Sequence, residues 1–422
     1  MQTAVPSLPP PRLRWGIAVL LLLSTAINYL DRQTLSILAT TIQRDLNIDD
    51  VGYAKITTYF LLSYTIMYAV SGRLVDFLGT RRSLVLAVSG WSIAGMLHGL
   101  AHSVAQLSAC RFLLGAFESA NFPAGARAVA EWFPLRERAL GMAFLGSGGA
   151  VGAMIAFPLV SYLALSHGWR VAFVVVGAVG FLWVFAWLAV CRPHAVAAGG
   201  GSADRSPEEK PFPLRALLAN RRAWGCILIR VFTDPIIYFI SFWVPKYLAE
   251  NHGYTLADIG KFAWLPFAGL SAGQMLGGAY ASWRVGRGAD LDRVRKGLML
   301  GASLLVLFSG LLVAVTSSPG VALAGVACLA LGHGLWGNIA VPAEVFPSHS
   351  VAFVTGLGGT LGGVAGMISQ FCIAWAAGHG GYGYIFAVFS VCPLLAYFAV
   401  RILVGRLGDI TATLPGKAGA HA

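Results

Sequence analysis

The chain has 422 residues, 57% of them hydrophobic and only 11% charged, with a mean hydropathy of +0.71. Soluble domains carry about 25% charged residues, so the composition excludes a water-soluble globular protein and points to one embedded in a bilayer. The net charge of +12 would suit a nucleic-acid binder, but its placement along the chain excludes that.

A membrane helix needs about 20 apolar residues. Twelve such stretches can be marked, near residues 14–37, 51–76, 83–101, 105–127, 138–164, 169–191, 223–249, 259–283, 297–315, 319–343, 351–378 and 382–404. No small-residue cleavage site follows the first, so it is expected to stay as a span rather than leave as a signal peptide. With the N-terminus in the cytoplasm, most of the 30 Lys and Arg fall in cytoplasmic segments. Only Arg44, Lys55, Arg170, Lys246 and Lys261 fall outside, and Arg32, Arg111, Arg127 and Arg230 fall within spans. That is the positive-inside bias, which places both termini in the cytoplasm. The lipid bilayer is thus the expected partner, with no nucleic acid and a monomeric state. Cys110, Cys191, Cys226, Cys328, Cys372 and Cys392 sit in or beside apolar spans without ligand spacing, so buried packing is expected of them and neither metal nor cofactor is implied.

In the first span, Asn28, Tyr29 and Arg32 share a helix face, and Arg32 can grip a carboxylate through two parallel hydrogen bonds. Asp31 is rotated about 100° from Arg32, so one can face a cavity while the other faces a neighbouring helix. A charge at mid-membrane costs roughly 2.5–3.5 kcal/mol and usually marks a substrate or proton path. Tyr64, midway along the second span, is a candidate hydrogen-bond donor to substrate. The loop after it runs Gly72, Asp76, Gly79, Arg81, Arg82, and Asp76 is expected to cap a helix or pair with a cytoplasmic arginine as a gate contact.

The fourth span carries Arg111 and Glu118, nearly two turns apart and on one side of a helix. It runs opposite to the first, so Arg111 lies at the depth of Arg32 and Glu118 nearer the midplane. Two arginines at one level suit an anionic group. Either Glu118 or Asp31 can load and release a proton; a static ion pair with an arginine is the alternative for Glu118.

Residues 192–222 are polar and rich in Gly and Pro, a flexible cytoplasmic linker between six spans (1–191) and six more (223–422). Ala130-Glu131-Trp132-Phe133-Pro134 recurs as Ala343-Glu344-Val345-Phe346-Pro347, each copy ahead of a glycine-rich helix. Parallel repeats of this kind bind substrate near the midplane. In the seventh span Arg230 and Asp234 read first as a structural ion pair, and Pro235 is expected to kink or break the helix. His333 in the tenth span reads as a helix contact. Trp336, Asn338 and, in the eleventh span, Gln370 are candidate substrate contacts, because Gly-interrupted helices line cavities.

The Gly72-to-Arg82 loop resembles the signature G-x-x-x-D-x-x-G-x-R-R of the major facilitator superfamily, and with the twelve spans and the repeat the resemblance covers nearly the whole chain. Asn28-Tyr29-Leu30-Asp31-Arg32, Arg111-Phe112-Leu113-Leu114-Gly115 and the run from Glu118 to Pro123 resemble the anion:cation symporter family. The segments around Glu131, Asp234 and Trp243-Val244-Pro245-Lys246 look most like its hexuronate transporter branch. The resemblance implies an all-α fold of two six-helix parallel repeats in a bacterial inner membrane. It also implies proton-coupled import of a sugar acid, with Arg32 and Arg111 on substrate charge and Asp31 and Glu118 on protons. The chain departs from the branch at Gly146, Gly149 and Ala150, at Ile236 and Ile237, and at Gly332-His333-Gly334-Leu335-Trp336. Fewer side chains remain to read sugar hydroxyls. A monocarboxylic acid is expected, a hexuronate or aldonate first and a less hydroxylated acid next. Export or exchange of such an acid, or a receptor that kept the fold, are the other readings; no nucleophile–base pair suggests an enzyme.

Overall fold

The computed structural model describes residues 10–134, 137–191, 219–337, 340–346, 348–379 and 381–408. Asn338 and most of the expected linker lie outside these residues. Those described fall into two compact units: everything up to 191 together with Tyr254–Trp264, and 219–253 together with 265–408.

The first unit contains α1 (Pro11–Ile37), α2 (Ala39–Leu46), α3 (Asp50–Leu78), α4 (Thr80–His98), α5 (Val104–Glu118), α6 (Asn121–Trp132), α7 (Arg138–His167) and α8 (Trp169–Val190). The second contains α9 (Arg221–Phe242), α10 (Val244–His252), α12 (Leu265–Gly286), α13 (Leu291–Val315), α14 (Pro319–Trp336), α15 (Val341–Val345), α16 (Ser348–His379), α17 (Gly383–Ala399) and a π-helical turn at Val400–Val404. The short α11 (Leu256–Phe262) packs on α7, where Gly260 lies close to Ser161 and the Phe157 carbonyl. Arg221 and Arg222, expected in the linker, already belong to α9.

Eight helices among the described residues are long and apolar enough to cross a membrane unaided: α1, α7, α8, α9, α13, the α14–α15 stretch, α16 and α17. The other four expected spans correspond to α3, α4, the α5–α6 pair and α12. Of these, α3 and α4 carry charged residues in their end turns, α5 and α6 are short, and α12 contains Pro266 and Gln274, so they are expected to lean on their neighbours for shielding.

Boundaries follow local chemistry. The Asp49 carboxylate accepts from Gly52 N at 2.7 Å to start α3, Ser103 caps α5, and Thr255 with Asp258 forms a capping box on α11. The tight α3–α4 junction turns on Gly79, whose φ of +75° disfavours any residue with a Cβ. The fourth span is not one helix: it breaks at Ser119 and Ala120, because Pro123 has no N–H to bond the Ser119 carbonyl. In the seventh span the helix continues through Pro235 and breaks only at Trp243, ahead of Pro245.

Within the first unit α1 packs on α7, α3 on α5 and α4 on α8; within the second α9 packs on α16, α12 on α14 and α13 on α17. Glycines bring backbones together, the membrane mode of helix association. A Cβ on Gly148 or Gly152 would meet the α1 backbone at Leu22 and Ala26, and one on Gly273 or Gly334 the facing backbones of α14 and α12. Of the six cysteines, Cys110, Cys191 and Cys226 are buried as expected, whereas Cys328 and Cys372 are exposed. They lie on outward faces of α14 and α16, which apolarity alone does not distinguish from inward ones.

Candidate functional site

The first unit gathers its buried charges where α1, α3, α4 and α5 meet. Glu118 ends α5, fully buried, and accepts from Arg32 Nε at 3.0 Å and Nη2 at 2.8 Å through one oxygen, Oε2. The Arg32 side chain keeps 13% exposure. Its Nη2 also donates to Asn28 Oδ1 at 3.3 Å, and Asn28 Nδ2 reaches back to the Glu118 carbonyl at 3.5 Å. The guanidinium is enclosed by rings: Tyr29 at 4.7 Å, Phe60 at 5.0 Å and Tyr64 at 5.0 Å from centroid. Such cation–π contacts are worth roughly 0.5–2 kcal/mol each.

Arg111, 1% exposed, donates to the Arg32 main-chain carbonyl through Nη1 at 3.3 Å and Nη2 at 3.4 Å. Its guanidinium also lies 5.8 Å from the Phe60 centroid. The two arginines therefore converge, as the helix directions implied. Asp31 turns the other way, against α4, with Oδ1 3.0 Å from where a Gly95 Cβ would stand. Below the cluster, Asn121 at the start of α6 joins Thr25 and Ser24 of α1 at 3.0 Å each.

Polar capacity here exceeds what the fold uses. Asp31 Oδ2, Glu118 Oε1, Arg111 Nε and both amide atoms of Gln33 are buried without a hydrogen-bond partner. Each such group costs about 1–3 kcal/mol. Their concentration at one place marks a site kept for something other than stability. Beside it, Gly149 leaves room for the Tyr29 ring, 3.0 Å from a would-be Cβ, and Gly146 faces open space.

The residues expected at a gate also meet partners. Asp76 pairs with Arg127 of α6 at 2.9 Å, and Arg127 reaches the Val75 carbonyl at 2.9 Å and Glu131 at 2.7 Å. Arg81 donates to the Cys191 carbonyl at 2.6 Å, tying the α3–α4 junction to the end of α8. Gly72 faces open space and Arg82 is exposed.

In the second unit the expected contacts stand differently. Trp336 is 1% exposed in an apolar cluster with Met299, Val341 and Val400, and its indole donates to Ser303 Oγ at 3.0 Å. Gln370 is fully buried and accepts from the Trp243 indole at 2.8 Å. Both are held by the core rather than presented on a cavity wall. His333 is buried with Nδ1 unpartnered.

Sequence reasoning passed over Phe60, Gln33, Asn121 and His98. Phe60 and Gln33 carry no distinguishing pattern. Asn121 stood in plain view within the Glu118–Pro123 run. His98 is fully buried, bonding the Ala94 carbonyl at 2.7 Å and stacking on Phe173 at 5.0 Å.

The family profile described as Major Facilitator Superfamily matches residues 21–370. The chain is 30% identical over 411 residues to the "Hexuronate transporter" of Escherichia coli (strain K12), covering 92% of this chain and 93% of that one. It is 30% identical over 428 residues to the "Probable galactarate/D-glucarate transporter GudP" of Bacillus subtilis (strain 168), covering 93% and 92%. Among solved structures, a bacterial homolog of the human lysosomal transporter Spinster, inward-facing and unoccupied, superposes with a TM-score of 0.72 at 18% identity, over 94% of this chain and 96% of that one.

Proposed function

The chain belongs to the Major Facilitator Superfamily, and on that footing we propose that it imports a sugar acid together with a proton across the bacterial inner membrane, by alternating access. It is a transporter with the all-α architecture of that superfamily and not an enzyme. The named relatives, one for hexuronates and one for galactarate and D-glucarate, support a sugar acid as cargo. The charge bias supports both termini in the cytoplasm.

The observation that carries the coupling is the Arg32–Glu118 pair. While Glu118 is ionised it occupies the guanidinium. A proton on Glu118 removes that charge, and the Arg32 fork is then free for a substrate carboxylate. An unpaired buried charge costs several kcal/mol, so proton and anion are favoured together and each is disfavoured alone. Tyr29, Tyr64 and Asn28 hold the guanidinium in place meanwhile, and Arg111 anchors the main chain of α1. Asp31 is a second proton acceptor.

Glu118→Gln imitates the protonated carboxyl. In proteoliposomes the variant should bind substrate and perform counterflow yet fail to accumulate it against a gradient when the outside is acidified. Normal pH-driven accumulation would refute Glu118 as the coupling group.

A further inference from the structure

The ion pair of α9 has a shape that packing alone does not explain. Arg230 and Asp234 are one turn apart, yet both Asp234 oxygens accept from Arg230 Nε, each at 2.8 Å. An arginine held for structure commonly meets a carboxylate fork to fork, through two nitrogens. Here the Nη atoms carry no hydrogen bond among the described residues. The two members are also unequally sealed, with the Asp234 side chain 4% exposed and that of Arg230 22%.

The facing side of α16 is bare. A Cβ on Gly358 would stand 3.3 Å from Arg230 Cγ, one on Gly359 3.8 Å from Nη2, and one on Gly362 would run into Asp234 Oδ2. The helix gives the pair room and no acceptor side chain. The Nη groups are not among the sealed atoms of the unit, so they stay accessible to a ligand, and a planar guanidinium is suited to reading two adjacent oxygens.

We propose that Arg230 is the second unit's substrate-reading residue: its Nη groups donate to an oxygen-rich group of the sugar acid, a second carboxylate or adjacent hydroxyls, while Asp234 acts as a positioning residue on Nε. This rests on the sugar-acid reading above and adds to it the residue that distinguishes such acids from plain ones.

Binding of glucuronate, glucarate and hexanoate to purified protein tests it, with expression and thermal stability as controls. Arg230→Lys keeps the ion pair and loses the fork. The dissociation constant for the sugar acids should rise about tenfold, with that for hexanoate within twofold of wild type. A larger loss for glucarate assigns Arg230 to a second carboxylate, and a larger loss for glucuronate to hydroxyls. Asp234→Asn should show the same selective loss. Arg230→Gln combined with Asp234→Asn removes the pair without leaving a lone charge, and covers the case in which the single variants misfold. Sugar-acid affinity unchanged in Arg230→Lys and in the double variant would overturn the proposal while leaving the transport reading intact. Wild type that binds neither sugar acid would overturn both.

Discussion

The two units use one helix-pairing scheme for different ends. By span number, first packs on fifth, second on fourth and third on sixth in one unit, and the same order holds in the other. In the first unit that scheme carries Asp31, Arg32, Arg111 and Glu118, with several polar atoms left over. In the second the corresponding depth is filled by rings: Phe239 on Phe386 at 5.1 Å, Tyr247 on Phe386 at 4.8 Å and Trp243 on Tyr382 at 6.4 Å. That unit's ion pairs include Arg230–Asp234 within α9, Lys246–Glu250 within α10 and Arg295–Glu344 between α13 and α15. Pairing decides which faces meet; the residues on those faces decide whether charges gather at one place, as at Arg32, Arg111 and Glu118, or stand as separate pairs among rings.

The largest expected effect lies in the charged unit. Arg32→Ala should lower uptake more than tenfold with the chain still inserted, since a charge-assisted bidentate contact is worth roughly 1.5–3 kcal/mol. Uptake within twofold of wild type would remove Arg32 from substrate handling and blur the contrast between units.

A glycine in each unit sharpens it. Gly362→Ala sets a methyl against the Asp234 carboxylate and should cost about 1–3 kcal/mol of stability, read as a lower melting temperature. Gly146 faces open space, so Gly146→Asn should leave stability unchanged and raise preference for a hexuronate over an apolar acid of similar size. Equal destabilisation at both positions would contradict the difference drawn between them.

The smallest effect is at the outer rim of the first unit. Asp45 accepts from Arg170 at 2.7 Å and the Trp169 indole at 3.0 Å, and these bonds hold its carboxyl below the usual range. A carboxyl depressed in the folded state stabilises above its unfolded pKa, and that contribution is lost as pH falls through the folded value. Asp45→Asn should therefore lower the melting temperature slightly at neutral pH, with the difference from wild type shrinking on acidification below the ordinary carboxylate range. A difference that widens on acidification would assign the effect to something other than this carboxylate.

The spans and the positions of the charges were legible because lipid imposes a long apolar run, and an ionisable residue stands out against it. Helix period and direction put Arg32 and Arg111 at one depth and Asp31 about 100° from Arg32, leaving open which of those two neighbours faces the next helix. Which carboxylate meets which guanidinium was not legible, because it depends on rotations of α1 and α5 that only packing sets. The same limit explains Trp336 and Gln370. Glycine interruptions marked α14 as irregular, but they cannot say whether an indole turns outward or into Ser303. Pro235 and Pro123 are equal on paper, yet only Pro123 stands at a break, since its helix is also giving way to the buried end at Glu118.

That break has a mechanical consequence. A continuous helix must rupture backbone bonds to bend, whereas the joint at Ser119 and Ala120 has already forgone one at Pro123. Beyond it α6 is a stiff rod of 12 residues, about 18 Å long, with Asn121 at one end and Arg127 two turns along. A small tilt at the fulcrum beside Glu118 would thus be carried, lever-fashion, to the Arg127–Asp76 pairing.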